Sequence, residues 1–328
     1  MICPDDVVAA FSGATTILIT THVVPDGDAV GSVLGLKHAL ERLGWEPVAA
    51  LAEPVPSSLS FLPGASSIVT PSALEAAYSL AIVLDCGALE RVGGCQDAVR
   101  GSAKVVNIDH HATNSMFADV NWVETEAAAC GEQVAAIMKR LGVEFDPAIS
   151  TCLYAAIATD TGSFRYSNTR AQTFSVAAEL VEAGARPWEV SQNIYDSKPY
   201  GSLAALAEAI LSMEFQCGGS LAVMTITSDL MRKHDVTEGE TEGFIGYARS
   251  VAGVEVAVAF RELPGDQIRV GLRSKEKVDV ARIAAELGGG GHVRASGCTI
   301  SGSMEAVKSQ VIPRIAEALS TAGFKWTA

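Results

Sequence analysis

Aspartate and histidine side chains recur at four places in the sequence, each at the end of an apolar run. The four groups are His22/Asp26/Asp28, Asp85, Asp109/His110/His111 and Asp160. Carboxylates gathered in one cleft need a compensating positive charge. Carboxylate with imidazole, and without thiolate, suits manganese, magnesium or iron better than a structural zinc. Because these ligands exceed the needs of one ion, we expect two divalent cations about 3.5–4 Å apart, a pair suited to in-line phosphoryl displacement.

The elements that must position these groups are apolar strands alternating with helices. Ile17–Thr21, Leu80–Leu84 and Lys104–Ile108 are apolar almost throughout, and a helical pattern follows the first of them at Val30–Leu43. Strands without polar alternation are typical of a parallel sheet covered on both faces. The carboxyl ends of such strands lie at one edge, so the first three groups should converge there. The fold class is therefore α/β.

Further periodic segments divide the chain into two domains. We expect a strand near Pro47–Leu51, and helices at the following residues: Ser72–Tyr78, Ala129–Leu141, Pro147–Ala158, Thr169–Ala183, Pro187–Tyr195 and Ser202–Leu211. In the second half we expect strands at residues 221–226, 254–262, 267–273 and 296–300, and helices at residues 279–287 and 303–322. The predicted domains are residues 1–195 and 215–328, joined by a linker helix within residues 196–214.

Composition narrows the classes of function. The 328 residues suit two domains, and the net charge of −14 argues against a protein that coats long nucleic acid duplexes. Residues 249–294 are locally basic, with eight Lys or Arg against six Asp or Glu. We expect neither a signal peptide nor a membrane span. The seven cysteines are scattered, which predicts reduced thiols and a cytoplasmic location.

A glycine-rich loop lies in the basic region. Gly288–Gly291 precede His292, and the cations Arg273, Lys275 and Arg294 lie nearby in the sequence or in the same predicted sheet. Backbone N–H groups of consecutive glycines can bind an anion, because no side chain blocks its approach. The alternative is a C-cap of the preceding helix, and both interpretations can hold for different glycines.

The four groups together resemble the motifs of the DHH phosphoesterase family. The pattern consists of His22-x-x-x-Asp26-x-Asp28, then Asp85, then Asp109-His110-His111, then Asp160. The run Gly288–His292 with Ala295-Ser296-Gly297 resembles the signature of the type-1 DHH-associated domain, although Val293 stands where a Pro is expected. The resemblance spans nearly the whole chain and is greatest to the oligoribonuclease and 3′-phosphoadenosine 5′-phosphate phosphatase group.

The resemblance implies a role for each motif residue. His22, Asp26 and Asp85 would bind one metal ion. The second ion would be bound by Asp28, Asp85, His110 and Asp160. Asp109 would orient a neighbouring imidazole, and His111 would act as general acid or charge stabiliser. The implied substrate-binding residues are Arg273, Ser274, Gly289, Gly290, Gly291, His292 and Arg294.

The implied function is two-metal phosphoester hydrolysis in an N-terminal DHH domain, with a smaller C-terminal α/β domain that binds substrate. The metal would be Mn²⁺, with Mg²⁺ as the alternative. Substrates would be single-stranded RNA of about two to five nucleotides, in agreement with the chain's acidity, or 3′-phosphoadenosine 5′-phosphate, and a homodimer is implied. Two alternatives stay open: a cyclic or linear dinucleotide phosphodiesterase, and a non-catalytic nucleotide-binding or RNA-binding module.

Overall fold

The computed structural model describes residues 1–326 and divides the chain into two compact units. These are Met1–Ser197 and Lys198–Ala328. The predicted linker helix corresponds to α8 (Tyr200–Leu211), which lies in the second unit and packs against other elements of that unit. Each unit has its own sheet and its own apolar core.

The first unit is built on a parallel sheet with strand order β2-β1-β3-β4-β5. Its strands are β1 (Ile17–Thr20), β2 (Val48–Ala49), β3 (Leu80–Leu84), β4 (Val105–Asp109) and β5 (Val120–Val123). All four pairings are parallel, and the register places Thr20 beside Val83, and Leu84 beside Ile108. Strands β1, β3 and β4 therefore end at the same edge, as the sequence predicted.

Helices cover both faces of this sheet. They are α1 (Asp5–Ala9), α2 (Gly27–Arg42), α3 (Gln96–Gly101), α4 (Cys130–Leu141), α5 (Pro147–Asp160), α6 (Ala171–Glu182) and α7 (Pro187–Tyr195). Ile17 and Ile19 pack into one apolar cluster, whereas Leu18 packs into another with residues of α3. Successive side chains of a strand point to opposite faces, so two covered faces explain the unbroken apolar run of β1.

Helices α2 and α5 approach closely enough to exclude a side chain between them. A Cβ atom at Gly31 would lie 2.4 Å from the carbonyl oxygen of Cys152, which is far inside van der Waals contact. Near the start of α2, a Cβ atom at Gly27 would meet the side chain of Thr159 at the same distance. The glycines thus allow the first turn of α2 to lie against the last turn of α5.

The second unit has a mixed sheet with strand order β10-β11-β9-β8-β7-β6. Its strands are β6 (Glu214–Gln216), β7 (Leu221–Ile226), β8 (Val256–Leu263), β9 (Gln267–Ser274), β10 (Gly290–His292) and β11 (Ala295–Ser301). The helices that follow α8 are α9 (Ser228–His234), α10 (Phe244–Ser250), α11 (Val280–Glu286) and α12 (Met304–Thr321). Only β7 and β8 pair in parallel within the described sheet.

The predicted helix at Ser72–Tyr78 is wrong. Pro71–Ala73 form a single 3₁₀ turn, and Leu74 is already extended. Residues 75–77 are exposed, so a helix here would have no apolar face to bury against the sheet. Strand β5 and the short edge strand β10 were not predicted from the sequence either.

Two observations bear on the predicted environment of the chain. Within residues 1–326, no helix is both long enough and apolar enough to cross a bilayer. All seven cysteines are free thiols, and only Cys217 is not buried.

Candidate metal centre

The predicted ligand residues of the first unit come together at the edge where β1, β3 and β4 end. His22 follows β1, Asp85 follows β3, and Asp109 is the last residue of β4. Asp28 lies in the first turn of α2, and Asp160 is the last residue of α5. Three sets made only of residues of this unit have one ligand atom per residue within 4.8 Å of one another: His22/Asp26/Asp85, Asp28/His110/Asp160 and Asp85/Asp109/His111.

Asp85 lies at the centre of the cluster and is 2% exposed. Its carboxylate oxygens lie 3.5 Å from Nε2 of His22, 3.3 Å from Nε2 of His110 and 3.6 Å from Nδ1 of His111. The backbone of Asp85 has φ +51°, a left-handed conformation that costs about 1–3 kcal/mol in a residue other than glycine. Its N–H donates to the carbonyl of Ile108 (2.9 Å), which ties this strained residue to β4.

The histidines are oriented by acceptors on their far side. Nδ1 of His22 lies 2.7 Å from the carbonyl oxygen of Val23, and Nδ1 of His110 lies 3.1 Å from that of Ala127. A carbonyl can only accept, so Nδ1 carries the proton in both rings and Nε2 faces the carboxylates. This arrangement is typical of histidines that bind a metal through Nε2.

Asp28 is also fixed by backbone donors. Its carboxylate accepts from the N–H groups of Cys130 (2.6 Å) and Gly131 (3.0 Å) at the start of α4, and from the hydroxyl of Ser32 (2.9 Å). Asp26 is the N-cap of α2, and its Oδ1 accepts from the N–H groups of Asp28 and Ala29. Both aspartates therefore have a structural role besides the predicted metal-binding one.

Negative charge in the cluster exceeds what the histidines balance. Burial raises the pKa of Asp28 well above its usual value and raises the pKa of Asp160 to about 6, and the charge of Asp85 adds to both shifts. Burial alone would also raise the pKa of Asp85, but the imidazoles of His110 and His22, whose Nε2 atoms lie 3.3 and 3.5 Å from its oxygens, outweigh it and hold that pKa well below its usual value.

The same contacts act on the imidazoles. Burial would lower the pKa values of His22 and His110, yet Asp85 and the other carboxylates raise both. Carboxylate and imidazole ligands with unbalanced negative charge fit a divalent cation such as Mn²⁺ or Mg²⁺. The donor set is therefore compatible with the predicted metal ions.

Sequence reasoning missed three asparagines that hold the ligand loops. Asn168 donates from Nδ2 to the backbone carbonyls of Asp160 (3.1 Å) and Ala128 (3.0 Å). Asn107 and Asn114 form a hydrogen-bonded pair between the loop after β3 and the loop after β4. The one available signal was Asn107, a polar residue between the apolar residues Val106 and Ile108 of strand β4.

The predicted substrate residues of the second unit lie at one end of its sheet. Arg273 pairs with Ala295, and Ala295 pairs with His292, so these three residues form one row across β9, β11 and β10. Arg273 and His292 are partly exposed. Two of the predicted substrate-binding residues, Arg273 and His292, thus lie on strands separated only by β11.

Ser274 and Arg294 instead contact the turn that follows β9. Ser274 is fully buried, and its hydroxyl donates to the carbonyl of Val278 (2.7 Å). Nη1 of Arg294 donates to the same carbonyl (2.8 Å). These contacts explain Ser274 as a structural residue and give its predicted substrate role no support.

The glycine-rich segment begins as the helix C-cap derived from the sequence, and its anion-binding role stays a prediction. Gly288 has φ +76° and donates to the carbonyl of Ala285, while Gly289 donates to that of Ala284, as in a helix C-cap. Gly290–His292 form β10 and pair with Ala295–Gly297. A Cβ atom at Gly290 would meet no heavy atom within 4 Å, so this residue leaves open space at the edge of the sheet.

Comparison with known proteins agrees with the sequence motifs. Residues 16–157 match the family model described as "DHH family, N-terminal domain", and residues 218–321 match the DHHA1 domain. A Thermus thermophilus protein named "Bifunctional oligoribonuclease and PAP phosphatase NrnA" is 34% identical over 309 residues, which cover 94% of this chain and 91% of the relative. The chain belongs to the DHH family.

Solved structures extend the likeness of this DHH family protein to the complete fold. An exopolyphosphatase-related protein from Bacteroides fragilis superimposes with a TM-score of 0.88 at 26% identity, and covers 97% of this chain and 96% of its own. RecJ from Thermus thermophilus, solved in complex with Mn²⁺, has a TM-score of 0.52 at 14% identity. It covers 96% of this chain and 53% of its own, so the likeness to RecJ concerns the fold alone.

Proposed function

We propose that this DHH family protein hydrolyses short oligoribonucleotides to nucleoside 5′-monophosphates and dephosphorylates 3′-phosphoadenosine 5′-phosphate to AMP. One observation carries the proposal: ligand atoms of six side chains, from segments far apart in sequence, form two clusters that each fit within 4.8 Å. The name of the relative that is 34% identical over most of both chains supports the choice of substrates.

The proposed metal ligands follow these clusters. His22, Asp26 and Asp85 would bind one divalent cation. Asp28, His110 and Asp160 would bind the other, with Asp85 as the shared ligand because it lies 3.3 Å from Nε2 of His110. Manganese is the proposed ion and magnesium the alternative, since both accept carboxylate and imidazole ligands.

The chemistry divides between the cations and His111. When bound, two divalent cations supply an acidified water for attack on phosphorus and positive charge for the phosphoryl oxygens. Nδ1 of His111 lies 2.7 Å from Oδ1 of Asp109, and a carboxylate can only accept, so this bond fixes the proton on Nδ1. Nε2 of a protonated His111 can then donate to the leaving oxygen as the phosphorus–oxygen bond breaks.

The second unit is the proposed substrate-binding domain. Arg273 and His292 lie in one row across its sheet and are suited to an anionic nucleotide, since a guanidinium can bind phosphate through two hydrogen bonds. Gly289 already donates its N–H to Ala284, so Gly290 and Gly291 would offer the backbone N–H groups, and Arg294 would add positive charge next to the turn it holds.

The test is turnover by the purified protein in Mn²⁺. Incubation with 3′-phosphoadenosine 5′-phosphate and with a ribodinucleotide should yield AMP with phosphate, and mononucleotides, respectively. Asp85→Asn should abolish both reactions because it removes the shared ligand, whereas Asp97→Asn, at an exposed position of α3, should retain them. Failure of the wild-type protein to cleave either substrate contradicts the proposal.

Other predictions from the sequence stay predictions. These are the domain limits at residues 195 and 215, the homodimer and the cytoplasmic location. The alternatives of a dinucleotide phosphodiesterase or a binding module have less support, because the relative that covers most of the chain is named for oligoribonuclease and phosphatase activities. A comparison of turnover across short RNA, the bisphosphate and cyclic dinucleotides would separate them.

A further inference from the structure

Two asparagines connect the loop that carries Asp85 to the loop that carries His111. Asn107 is fully buried in β4, where an amide without hydrogen bonds would be costly. Its Nδ2 donates to the carbonyls of Val83 and Cys86, both at 3.1 Å. These carbonyls lie on either side of Asp85, the residue with the left-handed backbone. Asn107 therefore binds both flanks of the strained segment.

The second asparagine continues the chain of hydrogen bonds. Nδ2 of Asn114 lies 2.7 Å from Oδ1 of Asn107 and 2.5 Å from Oδ2 of Asp109, and it makes a longer contact of 3.4 Å with the carbonyl of Cys86. Its own Oδ1 accepts from the N–H of Met116 (2.7 Å). That last bond is common in turns, but the two short Nδ2 bonds point toward the candidate site.

Each hydrogen bond in the series that runs from Asn107 through Asn114 and Asp109 to His111 has one possible direction. The carbonyls of Val83 and Cys86 only accept, so Asn107 must present its amide oxygen to Asn114. The carboxylate of Asp109 also only accepts, so it receives one bond from Asn114 and one from Nδ1 of His111. The asparagine pair thereby fixes the rotamer of Asp109, and Asp109 fixes the ring of His111.

We propose that Asn107 and Asn114 are positioning residues for phosphoester hydrolysis, which hold the Asp85 backbone and the Asp109–His111 pair in one arrangement. The inference rests on the proposed function for its catalytic consequence. Its structural consequence is independent of that function, because Asp85 would be a ligand of any metal ion bound at this edge. Loss of Asn114 should thus weaken metal binding and slow the reaction.

The experiment compares Asn114→Ala and the isosteric Asn114→Asp with Asn121→Ala. Asn114→Asp retains the shape but loses both donors and faces Asp109 with a second carboxylate. Asn121 is the matched control, because its amide bonds only to the backbone of Ala118, within its own turn. Calorimetric Mn²⁺ titration without substrate, thermal unfolding, and kcat and KM at saturating Mn²⁺ are measured for each variant.

For both Asn114 variants we expect kcat to fall about 10–100-fold and Mn²⁺ affinity to fall about tenfold, as for other residues that orient metal ligands. KM should change less than about threefold, because Asn114 does not contact substrate in this proposal. In an Asp109→Ala background, Asn114→Ala should lower kcat by less than about twofold further, since the two residues act through one path.

Several results overturn the inference. They are a kcat within twofold of wild type, an unchanged Mn²⁺ affinity, or equal losses in Asn121→Ala. A loss of activity that matches the unfolded fraction also overturns it. If the wild-type protein hydrolyses none of the substrates, the proposed function fails, and the Mn²⁺ titrations alone still decide whether Asn114 positions the metal-binding loop.

Discussion

The substitution Asp160→Asn should stabilise the metal-free protein and weaken its binding of metal. Asp160 is surrounded by carboxylates at the end of α5, and burial raises its pKa from 3.8 to about 6. The backbone carbonyl of Asp160 accepts from Asn168 whatever the side chain, and an asparagine amide has nearly the same shape as a carboxylate. The variant should therefore fold normally.

Whether the Asp160 carboxyl stabilises or destabilises the folded protein follows from the direction of its pKa shift. Below pH 3.8 the carboxyl is protonated in both the folded and the unfolded state, so it contributes nothing. Between pH 3.8 and about 6 the unfolded chain releases the proton while the folded protein retains it, so the free energy of unfolding falls as the pH rises. Above pH 6 the full cost is present, because the folded protein then contains the carboxylate.

The magnitude follows from the same shift. About two pKa units at about 1.4 kcal/mol each give a cost of at most about 3 kcal/mol at pH 8. Solvent screening reduces this figure, since 18% of the side chain is exposed. At pH 5 about half of the cost should remain. Asp160→Asn should recover these amounts in the metal-free protein.

The assay is urea unfolding in EDTA at pH 8 and pH 5, followed by the same experiment in Mn²⁺. Without metal, the variant should be more stable than wild type, and more so at pH 8. In saturating Mn²⁺ the order should reverse, because wild type gains more binding energy. Asp196→Asn, an exposed position in the same unit, should change stability by less than about 0.5 kcal/mol. Lower stability of Asp160→Asn in EDTA at pH 8 would refute the reasoning.

Three further predictions test other parts of the structure. Gly31→Ala should destabilise the protein by about 1–3 kcal/mol in thermal unfolding, because its Cβ would clash with Cys152; an unchanged melting temperature contradicts the close packing. Mn²⁺ affinity in calorimetry should fall as pH decreases, because Asp28 and His110 bind protons with raised pKa values; a pH-independent affinity argues against these ligands. Arg273→Ala should raise KM while kcat stays nearly constant; an unchanged KM removes Arg273 from substrate binding.

The positions of the ligand residues were predictable because strand ends are readable from sequence. Continuous apolar runs at Ile17–Thr20 and Leu80–Leu84 indicated buried parallel strands. The polar residues after them had to lie at one edge of the sheet. Asp160 ends a helix, and its place in the cluster depends on the close approach of α5 to α2, which no local pattern shows.

The supporting contacts were less predictable, because they join residues distant in sequence. The bond from Cys130 to Asp28 spans 102 residues and depends on where α4 begins in space. Asn107 appears in the sequence as an unfavourable polar residue in a strand, and only the neighbouring carbonyls of β3 explain it. Ser274 was predicted as a substrate residue from the family resemblance, and only the structure shows that its hydroxyl is buried in a turn.

The most direct test of the metal centre is anomalous diffraction from crystals of the protein soaked in Mn²⁺. The proposed function predicts two manganese peaks about 3.5–4 Å apart, both in contact with the carboxylate of Asp85. One peak should lie beside His22 and the other beside His110. Peaks elsewhere in the molecule, or none at this edge of the sheet, would contradict a two-metal hydrolase.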